Sequence, residues 1–133
     1  QLGRRSLNCD ALMRRTLVAG ALFNFVAAAM VLLPNSLGRL ADLPPSAPRL
    51  YSWLLALFIM LFGGVYAWLS RRRVIDRPLV VMAVVGKFGV FLVARVCLLL
   101  GDISSKAFAP AVGDLGFGLV FLWWLNGAPS SQS

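Results

Sequence analysis

The chain has 133 residues, of which 59% are hydrophobic and 14% charged, with a mean hydropathy of +0.81. A soluble domain averages about 45–50% apolar and about 25% charged residues, and one of this size cannot hide so much apolar surface in its core. Soluble enzymes, disordered tails and coiled coils are thereby excluded, leaving a single integral membrane domain. The formal charge of +8 sits on bases that flank apolar runs, the pattern of membrane topology rather than of a nucleic-acid groove.

Residues 1–12 read as a flexible basic tail, and Met13 is a candidate translational start. Arg14-Arg15 and the apolar stretch behind them have the look of a signal peptide, but the stretch is long enough to span and three further spans follow, so an uncleaved first helix is expected. That first span covers 16–33 and stops at Pro34-Asn35-Ser36. The connection 34–49 holds four prolines and reads as a plain connector. The second span covers 50–69, up to the Arg71-Arg72-Arg73 run, and the third opens on Pro78 and covers 78–100. The fourth, 105–125, is weakened by Pro110, Gly113, Gly116 and Gly118, and residues 126–133 read as a second flexible tail. The fold class is therefore all-α, a four-helix transmembrane bundle.

An even number of spans puts both termini on one side. The N-terminal tail and second connection carry Arg4, Arg5, Arg14, Arg15, Arg71, Arg72, Arg73 and Arg77, against Arg39, Arg49 and Lys106 on the other side. Both termini are expected to be cytoplasmic, in a multi-pass protein of the bacterial inner membrane. Tyr51 and Trp53 then lie near the outer interface, and Trp68, Trp123 and Trp124 near the inner one.

There is no His and no Glu, so the usual zinc sites, His-ligated haem, Ser-His-Asp triads and paired-Glu hydrolysis lack their parts. Cys9 and Cys97 are too far apart for a disulfide. No catalytic or metal-binding residue and no cofactor is assigned. The candidate site is instead a polar cluster inside the spans: Asn24, Lys87, Arg95 and Asp114, joined by Tyr66. Charges in hydrocarbon are costly and turn toward the bundle or a watery cavity. At 1.5 Å per residue Asn24 and Lys87 both lie about 12 Å from the inner edge, Asp114 about 16 Å and Arg95 about 24 Å. Asn24 is therefore expected to meet Lys87, and Asp114, lying between the two cations, to pair with either Lys87 or Arg95. Lys87 and Arg95 stand about 80° apart on their helix, roughly one face. On one reading Arg95 snorkels outward to headgroups, Lys87 and Asp114 form a structural pair and Asn24 fills a remaining hydrogen bond; on the other both bases lie inside, and the cluster nets one positive charge and would suit an anion. The glycines at 63, 64, 86, 89, 113, 116 and 118 mark expected close contacts.

The segments LLPNSLG, ADLPP, LFGGVYAWLSRR and VVGKFGVFLVAR resemble the small four-helix bacterial membrane proteins of the DoxX-like group, over residues 13–126. The resemblance implies a subunit associated with quinone-linked oxidation or redox homeostasis, and transfers no catalytic residue. Small multidrug exporters are similar in size but need a carboxylate in their first helix, where this chain has Asn24. Fluoride channels share length and basic charge but not motifs. The expected function is a non-catalytic structural or accessory subunit of a membrane complex. Alternatives are the binding or transport of an anionic or quinone-like molecule at the cluster, and a membrane oxidoreductase subunit. The partners implied are the lipid bilayer, other membrane subunits or further copies of the chain, and a quinone or an anionic lipid.

Overall fold

The computed structural model describes residues 2–44 and 47–127. They form five helices: α1 (Leu2–Leu32), α2 (Leu37–Leu40), α3 (Arg49–Arg71), α4 (Arg77–Leu100) and α5 (Ser105–Gly127). The four long ones are each long and apolar enough to cross a membrane. The connector expected between the first two spans holds the single turn α2, whose Gly38 packs against the Met30 carbonyl.

Residues 2–12, expected to be a flexible tail, are instead the first turns of α1. No Pro interrupts them, and the inward stripe of the span continues back through them as Cys9, Met13, Leu17 and Ala21, with Met13 and Leu17 fully buried. A helix of 31 residues is about 46 Å long, well beyond the roughly 30 Å of hydrocarbon. The surplus falls at the N-terminal end, where Arg4, Arg5, Asn8 and Asp10 need water or headgroups. At the other terminus Asn126 and Gly127 still belong to α5, and residues 128–133 lie outside the described residues.

The remaining boundaries follow local chemistry. Gly101 takes the left-handed conformation (φ 83°) and ends α4 with Asp102 N–H on the Cys97 carbonyl and Gly101 N–H on that of Leu98, a Schellman cap. Ser104 starts α5 by accepting the Ala107 N–H at 3.1 Å, and its hydroxyl donates to Asp42 Oδ2 in the facing connection. α5 continues through Pro110, its sixth residue, which has no N–H to give to the Lys106 carbonyl.

The side-chain distribution identifies the solvent. The interior is built largely from small residues, including Ala21, Ala28, Ala56, Ala83, Ala107 and Ala111, whereas Leu22, Leu57, Phe58, Val85, Leu92 and Val93 are exposed. Only 22–28% of each apolar window is buried within the bundle, so most of its hydrophobic surface needs hydrocarbon around it. The molecule is a multi-pass helical membrane protein.

α1 packs along α3, α4 along α5, and α1 touches α5. The order around the bundle is thus α3–α1–α5–α4, and α3 and α4, though consecutive in the chain, scarcely meet. The base-rich end is clasped by side chains. Arg14 donates to the carbonyls of Ser70 (2.9 Å), Arg73 (2.8 Å) and Arg72, tying α1 to the frayed end of α3. Arg77 donates to the Leu125 carbonyl at 2.6 Å, and Trp124 Nε1 donates to Asp10 at 2.9 Å, tying α4 to α5 and α5 to α1. The cleft between α3 and α4 has no such clasp among the described residues.

Candidate functional site

Lys87 stands halfway along α4, 3% exposed, where the four long helices converge. Its Nζ donates to Asp114 Oδ1 on α5 at 2.7 Å and to Asn24 Oδ1 on α1 at 2.9 Å. Asn24 in turn donates through Nδ2 to the Ile59 carbonyl of α3 at 3.1 Å. One connected chain of hydrogen bonds therefore links α3, α1, α4 and α5 at the depth at which the rise per residue places these side chains. The remaining N–H of the ammonium is enclosed by rings, with the centroids of Phe23, Tyr66 and Phe117 at 5.1, 5.3 and 5.4 Å. In a medium that supplies no water, each of these contacts substitutes for lost hydration.

Close helix approach sets the geometry at two glycines. A Cβ on Gly118 would lie 3.2 Å from Lys87 Cβ, so α5 comes near enough for Asp114, one turn earlier, to reach the ammonium. A Cβ on Gly63 would lie 3.2 Å from Asn24 Cβ, which is how α3 brings the Ile59 carbonyl within reach. Gly64, Gly89 and Gly116, also expected at contacts, face open space instead. Gly64 and Gly116 lie on the lipid side of their helices, and Gly89 borders the cleft between α3 and α4.

Arg95 does not join the cluster. It is exposed, and the 80° that separates it from Lys87 is enough to carry it off the inward face of α4, which runs through Val80, Ala83, Val84 and Lys87. Its long side chain lies near the far interface, where its charge can reach headgroups. The arrangement matches the reading in which Arg95 points outward, and the surplus of one positive charge that two inward bases would give is missing from the centre. Lys87 and Asp114 balance each other.

Tyr66 is 2% exposed and packs on Phe121, with ring centroids 5.7 Å apart. It also borders a cavity of about 330 Å³ that Asn24, Lys87 and Asp114 line together with Phe23, Phe62 and Gly86. The cavity has apolar walls and a polar floor, and it lies at the unclasped side of the bundle, between α3 and α4. Two further hollows share its lining: one of about 480 Å³ continues along Leu55, Gly86, Val90 and Val93, and one of about 220 Å³ passes Phe58, Phe62 and Tyr66. Together they trace a groove along the α3–α4 cleft.

Sequence reasoning missed Phe23, Phe117, Phe62 and the Ile59 carbonyl. Phe117 was findable, since it follows Asp114 by three residues and must share its helix face. Cys9 and Cys97 are free thiols at opposite ends of the bundle, and Cys97 borders the larger of the two adjoining hollows. Comparison with protein-family models, curated proteins and solved structures gives no match.

Proposed function

We propose that this protein binds a small, lipid-soluble, uncharged molecule that enters from the bilayer between α3 and α4. The observation that carries the reading is the cavity itself. A hollow of about 330 Å³ is within the size range of small-molecule sites, and apolar walls over a few convergent polar groups are their usual lining. The neutral Lys87–Asp114 pair favours an uncharged molecule over the anion that a surplus base would have suited. The groove past Val90 and Val93 accommodates an apolar tail. A quinone-like amphiphile has this shape and polarity.

The test is mass spectrometry of the protein extracted with its own lipids. Wild type is expected to retain a stoichiometric small molecule and Gly86→Leu to lose it. A Cβ at Gly86 meets nothing nearer than the Phe62 ring at 3.7 Å, so a leucine grows into the hollow without touching the hydrogen-bonded chain. An empty wild type would remove this reading. It would leave the second one, a structural or accessory subunit, which is favoured by the hydrogen-bonded chain: it braces four helices whether or not anything fills the cavity.

The same reading places the protein in a bacterial inner membrane with both termini in the cytoplasm. What supports this is that the eight bases Arg4, Arg5, Arg14, Arg15, Arg71, Arg72, Arg73 and Arg77 belong to the helix ends clasped together, against three (Arg39, Arg49 and Lys106) at the other end. A reporter active only in the cytoplasm is expected to work at the C-terminus, and one active only outside near Ala47. Swapped signals would reverse the orientation.

A further inference from the structure

Resting on that reading, we infer that the ligand of the α3–α4 cavity carries a free hydroxyl on a neutral ring, which donates to Oδ2 of Asp114 and accepts from the Tyr66 phenol. The inference comes from what the floor of the cavity has left to offer. An ammonium has three N–H groups. Two are taken by Asn24 and Asp114, and the third lies among three rings. The amide of Asn24 is engaged on both sides, by Lys87 at its oxygen and by the Ile59 carbonyl at its nitrogen.

Two groups remain. Among the described residues Asp114 uses only Oδ1, and Tyr66 makes no hydrogen bond through its hydroxyl, although both residues line the cavity and are 9% and 2% exposed. No side-chain nitrogen or oxygen that is fully enclosed lacks a partner, so both groups touch the hollow rather than being sealed in protein. A carboxylate oxygen can only accept, which means its partner must donate. The phenol can do either.

This pairing discriminates between classes of ligand. A carboxylate or phosphate would set a second negative charge against Oδ2 in a poorly screened site. An ether or a ketone would face it with lone pairs and leave a buried acceptor unmet, the kind of mismatch that binding sites reject most strongly. A hydroxyl donates one hydrogen bond and keeps lone pairs for the tyrosine. Within the quinone-like class, the floor thus selects the hydroxylated ring, a phenol or a hydroquinone, over its oxidised or alkylated counterpart. The neighbouring faces of Phe23 and Phe62 suit a flat ring, and the groove suits a short alkyl chain.

The experiment uses the full chain in lipid nanodiscs and three probes of matched shape: 4-propylphenol, 4-propylanisole and 4-propylbenzoate. Binding is read by saturation-transfer NMR and titration calorimetry, corrected for partition into empty discs. The phenol is expected to bind about tenfold or more tightly than the anisole, and the benzoate not at all. Tyr66→Phe keeps the ring and removes the hydroxyl. It is expected to weaken the phenol by about three- to tenfold. Equal affinities for phenol and anisole, or preferred binding of the benzoate, would overturn the hydroxyl assignment while leaving the cavity as a ligand site. Failure of all three to bind, in wild type and Gly86→Leu alike, would overturn the cavity reading and this inference with it. The wild-type probe series decides the matter even where Tyr66→Phe does not fold.

Discussion

Asp114→Asn is expected to lower the stability of the bundle by about 3–5 kcal/mol, and Asp114→Asn combined with Lys87→Met to recover most of that loss. Replacing the carboxylate alone leaves an ammonium at mid-depth in the membrane, 3% exposed, with no counter-charge and only amide oxygens and three rings as its company. Lys87→Met alone produces the mirror defect, a carboxylate facing Asn24 and a thioether. The double variant removes both charges and with them the desolvation cost that their pairing offsets. Recovery falls short of complete because Asn24 Oδ1 loses its ammonium donor and is left a buried acceptor, at a cost of about 1–3 kcal/mol. The coupling is read from unfolding of the four proteins in one detergent as a double-mutant cycle. Additive losses would mean that the two charges act separately, and would deny the ion pair its role in joining α4 to α5.

Much of this arrangement was legible in the sequence because a membrane narrows what a residue can mean. Runs of apolar residues bounded by Pro34, by the Arg71-Arg72-Arg73 run and by Gly101 left little freedom in where α3, α4 and α5 lie. Depth along a helix is simple arithmetic, and it places Asn24 and Lys87 at one level with Asp114 about 4 Å beyond them. The first helix was read short because a basic stretch resembles a tail. Nothing in its composition announces that Arg14 will hold the end of α3 or that Asp10 will meet Trp124 across 114 positions.

Rotation about the helix axis was harder to read than depth along it. An angle of 80° between Lys87 and Arg95 looks like one face on paper, yet in a four-helix bundle each helix turns only a narrow strip inward. Lys87 occupies the strip and Arg95 its margin. The α3–α4 cleft was not legible at all. Consecutive helices joined by a short connection normally pack together, and only the structure shows that α3 leans on α1 and α4 on α5.

The glycines carry the same lesson into the last expected result. Gly118→Val is expected to destabilise the bundle by about 1–3 kcal/mol through overpacking alone, and by more where it displaces Lys87 from Asp114, whereas Gly116→Val is expected to stay within about 0.5 kcal/mol of wild type. The two positions are two residues apart on α5 and identical in composition. At Gly118 even a single carbon would press on Lys87 Cβ at 3.2 Å and on the Phe88 ring at 3.3 Å, and a valine adds two more methyl groups to that space. At Gly116 nothing lies within 4 Å, so the new side chain extends into lipid, and the loss of a helix glycine is itself slightly favourable. The α4–α5 seam has little room to yield, because Arg77 is bonded to Leu125 at one end and the short capped connection after Leu100 joins the two helices at the other. Denaturant unfolding of the two variants side by side checks the contrast. Equal effects at the two positions would show that Gly118 lies no closer to α4 than Gly116 does, and would take away the close approach that lets Asp114 reach Lys87.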